Sequence, residues 1–210
     1  MEHGISTPIF GDLGVAHRFT RGDDRDLTLL VIHSGGQSMP DLLRGGHALA
    51  SGAAVLSTTA IVLPDRRCGF YHHDLYDIQR QAHMIAAFVQ LAAYSYGFNP
   101  HCVVIAGYAS GATLGASVLL VRQELLAGAI LLHSSVPQVP MGTLFLSSIP
   151  IFIGAGLQDT HTPAQDIAQL TAIFEAAGAH VTLFWRHGDH ILREPEVALA
   201  REWLQRHFPQ

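Results

Sequence analysis

The stretch from residue 102 to residue 112, Cys-Val-Val-Ile-Ala-Gly-Tyr-Ala-Ser-Gly-Ala, carries the strongest structural signal in this chain. Its first half, Cys102–Gly107, is almost continuously apolar, which is typical of a parallel strand buried on both faces. Its second half opens directly into a helical pattern through small residues, Gly107 and Gly111 among them. A buried strand that turns at once into a helix is the repeating unit of α/β proteins.

The same alternation of short apolar runs and helical patterns extends along the whole chain. The other predicted strands are Leu27–His33, Ala53–Ile61, Ala129–His133, Ile149–Gly154 and Val181–Trp185, with an extra edge strand near Val15–Thr20. The predicted helices are Asp41–Ala50, Leu75–Tyr96, Gly111–Leu126, Pro163–Ala177 and Glu196–Phe208. We therefore expect one α/β domain over residues 1–210, with an open, mostly parallel sheet and helices on both faces.

Composition excludes several kinds of chemistry. The 210-residue chain has a formal charge of −5, and all 12 of its basic residues are Arg, because Lys is absent. Without Lys there is no Schiff base, no Ser-Lys dyad and no phosphate loop ending in Gly-Lys-Ser/Thr. An acidic chain without basic runs is a poor candidate for nucleic-acid binding. No apolar run approaches the length of a membrane span, so we expect a cytoplasmic protein without a membrane partner.

In sheets of this kind, chemistry lies at the carboxyl ends of the strands. The turn Gly107-Tyr108-Ala109-Ser110-Gly111 matches the G-x-S-x-G nucleophile elbow except that Ala109 takes the place of Ser. Further along the chain, Asp159 follows one predicted strand and His190 follows the next. An elbow, then an acid, then a His is the order found in α/β-hydrolases, where the His takes a proton and the acid orients it.

The other titratable residues are weaker candidates than this set. Asp166 falls within a helical pattern, and Asp189, next to His190, is expected to be a solvated turn residue. The 14 His residues invite a metal site, but no H-E-x-x-H or Cys-x-x-Cys spacing supports one. We predict no metal and no cofactor. Cys102 is expected to be a small buried apolar residue.

Several spaced motifs in one order resemble the phospholipase/carboxylesterase-like branch of the α/β-hydrolases, close to the dienelactone-hydrolase group. They are His33-Ser34-Gly35-Gly36, Leu63-Pro64-Asp65-Arg66, Tyr96-Gly97-Phe98-Asn99-Pro100, the elbow, Gly154 to Pro163, and Gly188-Asp189-His190. The resemblance implies that Asp159 and His190 are the acid and base of a triad. It also implies that the backbone N–H groups of Gly35 and Ser110 form the oxyanion hole.

Two departures from the family pattern matter. His33-Ser34 stands where the family usually has His-Gly, and Ala109 stands where it has the nucleophilic Ser. Ala109 has two explanations: an engineered Ser-to-Ala variant of a serine esterase, or a natural pseudo-hydrolase that binds a small ligand. We favour the first, because Asp159 and His190 both remain.

The expected partner is a small carboxylic ester, and a homodimer is left open. We expect His72 to lie at the rim of the pocket. Met141, Leu144 and Phe145, in the segment 136–148, are expected to be exposed. They could form an apolar wall of the pocket, a dimer contact or ordinary loop packing, and the sequence does not separate these three.

Overall fold

The computed structural model describes residues 15, 17–23, 27–33, 45–59 and 75–209. Within these ranges seven strands form one sheet in the order β1-β3-β2-β4-β5-β6-β7. Their bounds are β1 His17–Thr20, β2 Thr28–His33, β3 Ala54–Thr59, β4 Val103–Tyr108, β5 Gly128–Leu132, β6 Pro150–Gly156 and β7 His180–Arg186.

Only the edge strand β1 runs antiparallel to its neighbour, β3, and the other five pairings are parallel. The register places Ile32 beside Gly107, Tyr108 beside Leu132, and Gly156 beside Arg186. The carboxyl ends of β2 and β4 to β7 therefore meet at one edge of the sheet, which is the edge where ligands bind in α/β proteins.

Alternate residues of the central strands enter two separate cores. Ile105 and its neighbours pack on one face with the helices α1 and α2, whereas Val104 and its neighbours pack on the other face. The helices are α1 Leu75–Tyr96, α2 Ser110–Val121, α3 Ala164–Ala176 and α4 Glu194–His207. Helix α3 also lies over the first core, and α4 covers the second through Trp203 and Leu204. Burial on both faces explains why the strands are apolar throughout.

The predicted open, mostly parallel sheet with helices on both faces is confirmed. Most predicted elements are found within one or two residues of their expected bounds. The helix predicted for Gly111–Leu126 is five residues too long, because α2 ends at Val121. Leu125 and Leu126 extend the apolar pattern beyond the helix, because both are buried although they belong to a turn. In that turn, Leu125 N–H donates to the Arg122 carbonyl.

Three further predictions differ from the structure or fall partly outside its description. Residues 45–49 are helical, whereas residues 41–44 of the helix predicted from Asp41 are not among those described. Residues 60 and 61 of the strand predicted to end at Ile61 are likewise outside them. Cys102 is only half-buried, which corrects the expectation of a buried residue, because it ends a short 3-10 helix, Pro100–Cys102, before β4 begins. No described helix is long and apolar enough to cross a membrane.

Candidate active site

The turn between β4 and α2 holds Ala109 in a strained conformation. Its φ of 52° and ψ of −121° lie outside the regions that residues with a side chain prefer. A Cβ on Gly107 would come within 2.5 Å of the Ala112 nitrogen, and one on Gly111 within 2.4 Å of the Ile32 carbonyl oxygen. The turn is this sharp because both flanking residues lack a side chain, as the elbow pattern predicts.

Asp159 follows β6 and is a carboxylate surrounded by donors. Its Oδ1 accepts hydrogen bonds from the backbone N–H groups of His161, at 2.8 Å, and Thr162, at 3.0 Å. Its Oδ2 accepts the Thr162 hydroxyl and a ring N–H of His190, at 2.7 Å. The side chain is completely buried, so these bonds take the place of water.

His190 is bound to the acid through one ring nitrogen and is partly exposed. Nδ1 donates to Asp159, and the side chain keeps 23% of its exposure. The Tyr108 hydroxyl donates to the His190 carbonyl at 2.6 Å, which ties the residue before the elbow apex to the histidine loop. The structure therefore brings together the acid and the base that the sequence predicts.

Gly156, the last residue of β6, lets the acid loop and the histidine loop approach each other. A Cβ at this position would lie 2.5 Å from the Gly188 carbonyl oxygen and 2.6 Å from that of Asp189. The two loops are also hydrogen-bonded here, since Gln158 N–H donates to the same Gly188 carbonyl at 2.9 Å. The backbone packing at Gly156 thus sets the separation of Asp159 and His190.

A second histidine, which the sequence analysis missed as a site residue, also contacts the acid. His133 lies just after β5, and its Nδ1 is 2.8 Å from Asp159 Oδ2. Its Nε2 is 2.8 Å from Glu196 Oε1, on α4. His133 has a φ of 53°, a left-handed conformation that turns its side chain away from the path of the strand.

Glu196 is held in turn by two donors on its other oxygen. The Arg186 guanidinium Nε donates to Oε2 at 2.9 Å, and the Arg193 backbone N–H donates to it at 3.0 Å. His133, Asp159 and Glu196 all have completely buried side chains. These residues form a continuous hydrogen-bonded network, Arg186–Glu196–His133–Asp159–His190, which we call the charge row.

In the charge row, burial and hydrogen bonding shift the pKa values in opposite directions, and the hydrogen bonds together with the neighbouring charges have the larger effect. Burial alone would raise the pKa of Asp159, but its bonds to Thr162, His133 and His190 lower it well below the ordinary range. Burial is opposed in the same way at Glu196, whose pKa is lowered by His133, the Arg193 backbone and Arg186. At His133, burial works against the charge, yet hydrogen bonds to Glu196 and Asp159 raise the pKa.

His133, Asp159 and His190 offer ligand atoms within 4.8 Å of one another, but their spacing does not fit a metal ion. Ligands of a tetrahedral zinc ion, at about 2.0–2.1 Å from the metal, are about 3.3 Å apart. The histidine nitrogens here lie 2.7 Å and 2.8 Å from the same carboxylate oxygen. These are hydrogen-bond distances, and we assign no metal to the group.

The other predicted site residues have mixed outcomes. Ser110 begins α2, where a backbone N–H has no acceptor within the helix and is available to a ligand. Gly35 and His72 lie outside the described residues. Met141 and Phe145 are exposed, as predicted, but Leu144 is not, because it packs against the first core.

Two other minor predictions hold. Asp189 is exposed and serves its own turn, where its Oδ1 accepts the Ile191 N–H at 3.2 Å. Asp166 lies in the first turn of α3 and not at the site.

The missed residues had signals in the sequence. His133 stood at the carboxyl end of a predicted strand, where side chains face the site. Glu196 follows Arg193 by three residues, which is the spacing of a side chain that caps a helix start. Neither signal shows that the two residues meet, because they are 63 positions apart.

Proteins that place an elbow, an acid and a histidine in this order on a mostly parallel sheet are α/β-hydrolases. The model of the dienelactone hydrolase family matches residues 68–190, and the chain belongs to that family.

Similar proteins match most of the chain. The putative hydrolase MhqD of Bacillus subtilis (strain 168) is 30% identical over 195 residues, which are 90% of this chain and 97% of that protein. The Bacillus cereus carboxylesterase is 32% identical, with a TM-score of 0.84 over 92% of this chain and 95% of its own. A carboxylesterase from Mesorhizobium loti shares the fold, with 24% identity and a TM-score of 0.81 over 94% of this chain and 97% of its own.

Proposed function

We propose that the site is that of a serine carboxylesterase for small carboxylic esters, in which Ala109 has replaced the nucleophile. The main support for this proposal is that Ala109 lies at the apex of a strained elbow, while Asp159 and His190 remain hydrogen-bonded at 2.7 Å. A strained residue costs about 1–3 kcal/mol, and such strain is common where a side chain must be presented to a substrate. An Ala methyl group cannot react with a substrate, so the strained conformation brings it no benefit. A Ser hydroxyl in the same position would be presented to the substrate as a nucleophile.

With Ser at position 109, the chemistry would proceed in two halves. The hydroxyl oxygen attacks the acyl carbon of the ester while His190 Nε2 takes the hydroxyl proton. The resulting oxyanion would accept hydrogen bonds from the backbone N–H groups of Ser110 and Gly35. His190 then gives its proton to the leaving alcohol, and a water molecule repeats the sequence to release the acid. Asp159 keeps Nδ1 of His190 protonated and stabilises the imidazolium.

The chain as it stands cannot form the acyl-enzyme, because a methyl group cannot attack a carbonyl. Binding of the ester in front of His190 does not need the hydroxyl, so we expect ligand binding to survive. The remaining donors give at most a weak hydrolysis by water.

The test is the substitution Ala109→Ser, assayed with aryl esters of increasing acyl length. We expect kcat/KM to rise by roughly 10³-fold or more, because nucleophile removal in serine hydrolases costs up to about 10⁶. The matched control is the double variant Ala109→Ser with His190→Ala, which keeps the hydroxyl and removes its base. Turnover that vanishes in this control supports the proposal.

A second candidate is a non-catalytic binding protein that keeps the hydrolase pocket. The observation in its favour is Ala109 itself, which removes the covalent step. A well-folded Ala109→Ser variant that turns over no ester at any acyl length would establish this alternative and refute the esterase. The codon at position 109 of the source gene separates the two origins, since a Ser codon identifies an engineered variant.

A further inference from the structure

The protons of the charge row can be counted from its contacts. Both ring nitrogens of His133 face carboxylate oxygens at 2.8 Å. A carboxylate oxygen only accepts, so each contact requires a proton on one of its two atoms. A neutral imidazole supplies one proton. The second must come either from a protonated carboxyl group or from an imidazolium.

The carboxyl groups are poor places for that second proton. Asp159 already accepts two backbone N–H groups, the Thr162 hydroxyl and the N–H of His190. Glu196 accepts the Arg186 guanidinium at 2.9 Å, and a cation beside a carboxyl group favours its ionised form. Both acids are therefore carboxylates, and the proton belongs to His133.

The direction of each pKa agrees with this count. Those of Asp159 and Glu196 are lowered, and that of His133 is raised despite complete burial of its side chain. The charges along the row then alternate as Arg186 positive, Glu196 negative, His133 positive and Asp159 negative. A buried row of this composition is neutral, which is how a protein interior accommodates ionised groups.

We propose that His133 is a buried imidazolium and acts as a positioning residue, one that shares Asp159 with His190 and thereby weakens the attraction of that carboxylate for a second imidazolium. This inference rests on the proposed function for its catalytic meaning, although the charge on His133 can be measured without turnover. The two rings are 5.2 Å apart between centroids and bind the same oxygen of Asp159.

Among the described residues, the other cation of the row is Arg186, which binds Oε2 of Glu196 and not the oxygen that faces His133. Tyr108, from β4, faces its ring at 5.6 Å, and burial raises the pKa of that phenol, so it stays neutral. The His161 ring approaches the other oxygen of Asp159, at 4.0 Å, and its side chain is 75% exposed. The groups that set the charge of His133 are thus the two carboxylates.

The consequence for catalysis is a limit on how strongly Asp159 can hold the protonated form of His190. A positive charge on His133 offsets the charge of the acid and repels a second imidazolium. Removal of His133 should shift the acidic limb of ester turnover toward higher pH.

The first experiment measures the charge on His133 in the chain as it exists, with Ala at position 109. In a long-range ¹H–¹⁵N spectrum of histidine-labelled protein, the His133 ring, assigned by its absence from the spectrum of His133→Asn, should carry protons on both nitrogens at pH 7. Detection of an unprotonated nitrogen on that ring at pH 7 would overturn the proposal. Because no ester is involved, this result is independent of whether the site is an esterase.

The second experiment compares pH profiles of kcat/KM in the Ala109→Ser background. His133→Asn keeps a neutral N–H toward Asp159 and suits the left-handed backbone, because Asn tolerates that conformation. We expect its acidic limb to move up by about one pH unit, the order of effect of a neighbouring charge.

The matched control for the pH profiles is Thr162→Val, which removes a neutral donor from the same oxygen of Asp159. Its limb should move by less than about a third of the shift in His133→Asn if charge is the cause. An equal shift in both variants, or none in His133→Asn, would overturn the positioning role. Absence of turnover in Ala109→Ser itself would instead refute the proposed function. The histidine spectrum would then still test whether His133 is charged.

Discussion

Nε2 of His133 and Oε1 of Glu196 lie 2.8 Å apart, and neither side chain has any exposed surface. The contact joins the end of β5 to the first turn of α4. A buried ionic contact of this kind contributes little net stability relative to apolar packing, but loss of one partner leaves an uncompensated charge. The connection between strand and helix is therefore sensitive to substitution at either end.

The first prediction concerns Glu196→Gln. Its amide cannot balance the charges on His133 and Arg186, so we expect the free energy of unfolding to fall by about 3 kcal/mol or more. Urea denaturation followed by circular dichroism measures the change. Glu194→Gln is the control, because Glu194 is on the same helix, is 76% exposed and reaches Arg201 only at 3.6 Å. It should cost less than about 1 kcal/mol, and equal losses in the two variants would contradict the importance of the buried contact.

The second prediction concerns pH. The pKa of His133 is raised in the folded state, so the stability it provides is fully present below the unfolded value, about 6.5, and is lost as pH rises through the folded value. Above pH 6.5, the free energy of unfolding should fall by up to about 1.4 kcal/mol per pH unit from this residue alone. Urea titrations of the unmodified chain and His133→Asn at several pH values isolate the effect as a difference. Parallel curves above pH 6.5 would show that His133 releases no proton on unfolding.

The third prediction tests the close approach at Gly156. In Gly156→Ala, the added methyl group would lie 2.5 Å from the Gly188 carbonyl oxygen, so the loop that carries His190 must move. We expect a loss of about 1–3 kcal/mol in stability. In the Ala109→Ser background, kcat/KM should fall at least about tenfold, because small displacements of a catalytic group are costly.

Gly45→Ala is the control for that substitution, because a Cβ at Gly45 would meet nothing within 4 Å. It should cause no loss of stability and could add up to about 1 kcal/mol, because Gly45 is helical and Ala is favoured over Gly in a helix. If Gly156→Ala also causes no loss of stability, the end of the sheet adapts more easily than the packing indicates.

The fourth prediction addresses the elbow. Glycine adopts positive φ without a steric penalty, so Ala109→Gly should raise the free energy of unfolding by about 1 kcal/mol. The control is Ala112→Gly, a buried position inside α2, where the same change should cost about 1 kcal/mol or more. Thermal or urea unfolding distinguishes the two signs. A destabilised Ala109→Gly variant would mean that the Ala109 methyl group makes stabilising contacts that outweigh its strain.

The fold was largely predictable because its signals are local. Strands buried on both faces leave continuous apolar runs, and the helix Leu75–Tyr96 has both of its predicted ends. The error at the end of α2 arose because Leu125 and Leu126 continue the apolar pattern from a turn, which periodicity alone does not distinguish from a helix.

The site was predictable only in part. Asp159 and His190 follow strands, and chemistry in such sheets lies at the carboxyl ends of the strands, so the sequence identifies both residues. His133 also ends a strand, but the apolar run accounts for it as the last residue of that strand. The helical pattern accounts for its partner Glu196 as the start of a helix. Only the three-dimensional structure shows that His133 lies between Glu196 and the acid of the site and bonds to both.

The hydrogen-bonded row from Arg186 to His190 draws every member from the part of the chain after residue 132. The strands and loops before the elbow contribute none of its members among the described residues. A change in the first hundred residues can therefore leave the acid, the base and their buried partners intact. In this scaffold, the whole network that handles protons is encoded in the second half of the gene.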